Sequence, residues 1–299
     1  MTHTFDFIGV GGLAYDLMLR VDRLPLGDDK YPAELLGKLP GGFIANATCA
    51  AARLGLKTAF AGWVGDDAEG TMLHDDFEAW KVDPVGLVRV PDAVTPYTIV
   101  ATDHKGQRAI LLPHWLLYNA ELTYNQLMLA RQARVVYTFP RDMVWCRDLR
   151  RASLEGHGLF ALDVESAVPM RGDELREVVT IADILFVTET SLTMLGLKSI
   201  RDLAEPRQWV IQTAGSRGAY GIEGGQRKPV FQPARRVRPV DTTGAGDCFH
   251  AALIAARLNG ATLEESLAFA NAAASIKVLH AGARGGLPTR QEVIALLKR

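Results

Sequence analysis

Cysteine is scarce in this chain. Cys49, Cys146 and Cys248 are 3 in 299 residues, an odd number, far apart, with no C-x-x-C pair and no histidine cluster nearby. That excludes a disulfide-stapled fold and a thiolate metal site, and predicts free thiols in a reducing, cytoplasmic setting. Cys49 and Cys248 lie in alanine-rich helical runs and read as small core residues. Net charge is also nearly absent: Lys+Arg 33 against Asp+Glu 34 leaves -1, so no long-range field gathers nucleic acid or an anionic membrane. Arg235-Arg236-Val237-Arg238 accordingly reads as a solvated surface strand. No apolar run is long enough to span a bilayer, and the stretch from Met1 to Asp6 lacks the basic and apolar regions of a signal peptide. Repeats, low-complexity tracts and long linkers are missing too. What remains is 48% hydrophobic residues, enough for one sizeable α/β core.

The chain is organised around Asp241-Thr242-Thr243-Gly244-Ala245-Gly246-Asp247. Pro239-Val240 reads as the end of a strand, and the apolar run from Cys248 to Leu258 reads as a buried helix, which places the glycines at a strand-to-helix turn. Gly244 and Gly246 let a ligand approach the backbone, and unpaired amides at a helix start, with the positive end of the dipole, favour an anion such as phosphate. A carboxylate would repel that phosphate, so Asp247 makes sense there as a base taking a proton from an attacking hydroxyl. A plain Gly-rich turn followed by a dipole-complementing carboxylate is the bland alternative.

Elsewhere the pattern alternates strand and helix. Strands are expected over Phe5–Val10, Thr58–Val64, Val85–Val90, Arg134–Phe139, Leu159–Val164, Ile184–Val187 and Trp209–Thr213, with helices between them. Gly9-Val10-Gly11-Gly12-Leu13-Ala14 formally matches a dinucleotide fingerprint, but Leu17, Leu19 and Val21 alternate with polar neighbours, which is strand periodicity where that fingerprint needs a helix. Gly41-Gly42 precede a helix carrying Asn46 in its first turn, able to give and accept hydrogen bonds. Asp163, Thr188-Glu189 and Thr213-Ala214-Gly215-Ser216-Arg217-Gly218 fall at strand ends, where open α/β sheets bind ligands; the last also reads as a tight hairpin. Capping boxes at Thr262 and Thr289 open two C-terminal helices, separated by the glycine-rich loop from Ala281 to Gly286.

Asp241 to Asp247, followed by Phe249, Ala251 and Leu253, resembles the C-terminal signature of the PfkB, or ribokinase-like, carbohydrate kinases; Gly41, Gly42 and Asn46, with Ala51, Leu54 and Gly55, resemble their N-terminal signature. The resemblance implies one α/β domain over residues 1–299, a mostly parallel sheet flanked by helices. A small β-lid near residues 15–22, 31–39 and 97–112 would close over a sugar, exclude water and support a homodimer through paired lids. It implies ATP-dependent phosphorylation of a hydroxymethyl group, with Asp247 as base and the Gly244, Ala245 and Gly246 amides stabilising charge. Asp16, Gly41, Gly42 and Asn46 would contact the sugar. Thr213, Gly215, Gly218, Asn271 and Gly282 would border the nucleotide. The family's Asn-x-x-Glu magnesium motif is replaced by Thr188 and Ser191, so either Glu189 compensates, or Mg²⁺ is held mostly by nucleotide phosphates and water, or turnover is weak; the other metal candidate is Asp241, which with loop carbonyls is a candidate monovalent-cation (K⁺) site.

Gly27-Asp28-Asp29-Lys30-Tyr31, Phe249-His250 and Gly285-Gly286-Leu287-Pro288 look closest to the sulfofructose kinase and ketose-kinase branch. Lys30 and Arg141 would then bind an anionic tail, although Leu111-Leu112-Pro113-His114 offers little polar help there. A neutral ketohexose or pentose stays open. So do a nucleoside kinase of the same fold and a non-catalytic sugar or nucleotide sensor, whereas an NAD-dependent oxidoreductase leaves Asp241 to Asp247 unexplained.

Overall fold

The computed structural model describes residues 3–28, 30–113, 120–206 and 208–298; Asp29 and His114, drawn into the substrate reading above, lie outside them. In chain order the strands are β1 (Phe5–Val10), β2 (Ala14–Val21), β3 (Ala33–Gly41), β4 (Thr58–Gly65), β5 (Val82–Val90), β6 (Tyr97–Thr102), β7 (Arg108–Leu111), β8 (Ala133–Thr138), β9 (Leu159–Val164), β10 (Ile184–Thr188), β11 (Trp209–Thr213), β12 (Gly218–Glu223) and β13 (Val230–Pro233). The helices are α1 (Phe43–Arg53), α2 (Ala68–Ala79), α3 (Tyr124–Ala130), α4 (Met143–Glu155), α5 (Gly172–Thr180), α6 (Glu189–Met194), α7 (Ala245–Leu258), α8 (Leu263–Lys277) and α9 (Arg290–Leu297).

Near-continuous apolar strands need cover on both faces. They form a nine-stranded sheet in the order β13-β12-β11-β10-β9-β8-β1-β4-β5, parallel from β11 to β5 and closed at one edge by the antiparallel β12 and β13. Every residue of β4 is buried, and α1, α7 and α8 cover the sheet with alanine-rich faces that allow close approach. The second sheet, in the order β3-β2-β6-β7, is a thin lid: Leu35 and Leu111 are 61% and 60% exposed on it.

Gly9 to Ala14 lead from β1 directly into β2, so the glycines lack the helix a dinucleotide fingerprint requires. Two expectations fail. Arg235 to Arg238 and Pro239-Val240 form no strand: the arginine run is exposed on every residue, and Pro239 has no N–H to enter a ladder. The chain reaches the glycine turn through an extended loop that is fastened when Val240 and Asp241 donate their N–H groups to the Val278 carbonyl at 2.8 and 3.1 Å. β12 and β13 are the other difference, since the hairpin after Thr213 continues into a two-strand edge.

Candidate active site

Helix α7 starts where Gly244 turns the backbone left-handed, φ 75°. A Cβ there would fall 2.2 Å from the Ala283 carbonyl oxygen, whereas one on Gly246 would meet nothing within 4 Å. Gly244 is therefore needed for the turn and Gly246 for an open approach to it. The Ala245 N–H is already given to the Thr242 carbonyl at 3.2 Å; the amides of Gly246 and Asp247 lie in the first turn, which offers no intrahelical acceptor.

Asp247 is 7% exposed. Asn46 Nδ2 donates to its Oδ2 at 2.8 Å, and Arg284 Nε in turn donates to Asn46 Oδ1 at 3.0 Å. The same guanidinium donates to the Gly41 carbonyl at 3.1 Å and pairs with Asp76. Gly41 is packed under Asp16, whose Oδ2 would lie 2.7 Å from any Cβ on Gly41, and the Thr98 hydroxyl donates to Asp16 at 2.5 Å. A continuous chain of contacts thus joins Asp16, Gly41, Arg284, Asn46 and Asp247. The positive φ of Gly42, 90°, lets α1 begin against the Gly12 carbonyl, 2.3 Å from where a Cβ would sit.

On the other side of Asp247 the Tyr137 hydroxyl donates to Asp163 Oδ2 at 2.7 Å. His250 Nδ1 lies 3.0 Å from that hydroxyl and 3.2 Å from Asp163, its ring stacked on Phe186 at 4.1 Å. Oxygens of Asp163, Glu165 and Asp247 lie within 4.8 Å of one another. Burial first, and the neighbouring Asp163 carboxylate next, push Asp247 up to about 7 against the pull of Asn46, His250 and Arg284. Burial and the Asp163 and Asp247 carboxylates carry Glu165 to about 8. Burial would lower His250, but Asp163, with Asp247 and Glu165, outweighs it and the net shift is upward.

Asp241, at the other end of the turn, has a different environment. Its Oδ1 accepts the Thr243 N–H at 2.9 Å, the Thr243 hydroxyl at 2.7 Å and Arg108 Nη2 at 2.8 Å; Oδ2 accepts the Gly282 N–H at 2.8 Å. Burial alone would raise it, yet these donors bring it down to about 2. Arg108 belongs to lid strand β7, so the lid is bound to the turn here.

Of the remaining sequence candidates, Gly215 and Gly218 flank the β11–β12 connection with φ 56° and 123°, next to Thr213 at the end of β11. Asn271 is buried and donates to the Gln232 carbonyl at 2.9 Å, tying α8 to β13. Glu189 is exposed and paired with Arg217 at 3.0 Å. Thr188 and Ser191 form a capping box on α6, their hydroxyls 2.7 Å apart. Lys30 is exposed. Arg141 is bound to Asp142 at 2.8 Å and lies 4.1 Å above the Trp145 ring, lining a small cavity of about 30 Å³ with Gly11, Gly12 and Trp63. The three thiols are buried and each pushed up to about 12 by that burial, consistent with core roles. Sequence reading missed Arg284, Glu165 and Tyr137. The available signal for Arg284 was a lone arginine among Ala and Gly, which reads as a loop but here is buried and central.

A model of the pfkB family carbohydrate kinases matches residues 7–290. The chain belongs to that family. Family members among curated proteins include ribokinase of Bacillus subtilis, 30% identical with 96% of this chain and 98% of that protein covered. Fructokinase-1 of Oryza sativa is 31% identical over 87% of this chain and 89% of its own length. Nucleoside kinase of Methanothermobacter thermautotrophicus is 26% identical, with 98% and 96% covered. Among solved structures, Arabidopsis thaliana ribokinase complexed with ribose and ATP superposes with a TM-score of 0.87 at 27% identity over 100% of both chains. Among the described residues no helix is long and apolar enough to cross a membrane.

Proposed function

We propose that this carbohydrate kinase transfers the γ-phosphoryl group of ATP to a hydroxymethyl group of a sugar, with Asp247 as general base. The observation that carries this reading is Asp247 itself: a buried carboxylate raised to about 7, oriented by Asn46 at 2.8 Å, in the first turn of a helix whose amides favour a phosphate. Asp247 takes the hydroxyl proton as the acceptor oxygen bonds to the γ-phosphorus and the bond to the β–γ bridging oxygen breaks, releasing ADP. The Gly246 and Asp247 amides stabilise charge on the transferring group. Asp16, Gly41, Gly42 and Asn46 hold the acceptor. The 213–218 turn, Asn271 and Gly282 border the donor. Lid strands β2, β3, β6 and β7 exclude water, the competing acceptor.

Magnesium, when bound with the nucleotide, neutralises phosphate charge. The clustered oxygens of Asp163 and Glu165 suit such a hard cation better than Asp241, whose oxygens are already engaged, or the exposed, paired Glu189. Arg141 is committed to Asp142 and Trp145 and Lys30 is exposed; the engaged guanidinium favours a neutral acceptor, ketohexose or pentose, over one with an anionic tail. The similarity to an archaeal nucleoside kinase keeps nucleosides as a second acceptor class. The exposed leucines of the lid support pairing of two copies through it.

The test is ADP release with Mg-ATP against ketoses, aldoses, sugar phosphates, sulfofructose and nucleosides. Turnover on a neutral sugar is the expected result. Turnover on sulfofructose or sugar phosphates alone would restore Lys30 and Arg141, and ATP binding without turnover on any acceptor would favour a sensor.

A further inference from the structure

Lys277 ends helix α8 and is 0% exposed, among the fully buried large side chains. A buried ammonium is costly unless something compensates it. Its Nζ donates to the backbone carbonyl of Asp241 at 3.3 Å; burial brings its pKa below the ordinary lysine value, with Arg108 adding to that and Asp241, Cys248 and Asp247 opposing it. The residue after it, Val278, receives the N–H groups of Val240 and Asp241. The end of α8 therefore clamps the start of the glycine turn, and the lysine stands directly behind it.

A monovalent cation at Asp241, expected from the sequence resemblance, does not fit this environment. Both carboxylate oxygens are taken by Thr243, Gly282 and Arg108, the carbonyl is taken by Lys277, and two cationic side chains already face the group. An ion needs several free oxygens. We infer that Lys277 is a built-in cation: its ammonium supplies, from within the chain, the fixed positive charge that holds the Asp241–Asp247 turn in its anion-binding shape, so that this kinase needs no potassium or sodium. Lys277 is then a positioning residue, acting on the bound nucleotide through the turn.

The inference rests on the kinase reading only in its nucleotide arm, so the experiment has two readouts. Binding of a non-hydrolysable ATP analogue and thermal unfolding are measured for the wild type and Lys277→Met in potassium, sodium and tetramethylammonium chloride at equal ionic strength. The wild type is expected to bind within about twofold and melt alike in all three salts. Lys277→Met is expected to bind roughly tenfold more weakly in tetramethylammonium and to recover, in binding and in Tm, with potassium chloride. A merely structural lysine would give a loss that no cation rescues. Wild-type binding or Tm that depends on potassium, or a Lys277→Met variant equal to wild type in every salt, overturns the inference. Should Lys277→Met not fold, Lys277→Gln carries the rescue arm and the wild-type salt series decides alone. If the analogue does not bind the wild type, the kinase reading fails while the Tm series still reads the cation.

Discussion

The two ends of one turn hold aspartates with opposite fates. Asp241 receives N–H and O–H donors on both oxygens and a guanidinium from the lid, and is held down to about 2. Asp247, six positions on, receives one amide donor and faces the carboxylates of Asp163 and Glu165, and is raised to about 7. Asp247 is buried and Asp241 only partly so, and burial is the largest push on Asp247; the number of donors and the sign of the neighbours then carry Asp241 the other way. A saturated carboxylate fixes a backbone, while an under-satisfied one near neutrality can exchange a proton during catalysis.

Substitution at the end proposed to carry the base has the largest expected consequence. Asp247→Asn should lower kcat by about 10² to 10⁴ with ATP affinity retained, because the amides of the turn are untouched; measured turnover within a few-fold of wild type would remove Asp247 from the chemistry. Arg284→Met should cost roughly 10² in kcat/KM by releasing Asn46 from its orientation, and should also lower Tm, since Asp76 loses its ion-pair partner. Unchanged kinetics in a folded Arg284→Met would reduce that arginine to packing.

The next effect is on stability, and its sign follows from the raised pKa. Folding favours protonated Asp247, so its contribution is fully present below the ordinary carboxylate range and is lost as pH rises through about 7. Asp247→Asn removes that loss. Its Tm should therefore exceed wild type by a few degrees at about pH 8 and by little at about pH 5, and a difference independent of pH would place the strain elsewhere. The smallest effect belongs to the lid. Leu35→Ser with Leu111→Ser, both exposed, should leave kcat within about twofold while shifting a sedimentation profile from dimer to monomer; a monomeric wild type would remove the pairing reading.

Much of the fold was legible because long periodic segments declare themselves: the β2 alternation of Leu17, Leu19 and Val21, and the capping boxes at Thr262 and Thr289, are local signals that the structure keeps. The helix start at Asp247 was legible from the two glycines and the apolar run that follows, while the role proposed for Asp247 came from the likeness of the whole Asp241–Asp247 stretch to the PfkB signature. Arg284 was not, because its meaning lies in Asn46, 238 positions away, and a local reading of Ala281 to Gly286 sees only a flexible loop. Tyr137 likewise meets His250 across 113 positions. The false strand at Pro239-Val240 came from an apolar pair before a turn, where proline and an arginine run leave no ladder to join.

The most direct measurement is kcat/KM against pH for the wild type on its best acceptor. The free enzyme's base should appear as an acid limb that rises about tenfold per pH unit and levels near a pKa of about 7, with Asp247→Asn lacking that limb on its residual rate. A profile flat from about pH 5 upward, or the same limb persisting in Asp247→Asn, would contradict the assignment of Asp247 as a near-neutral base.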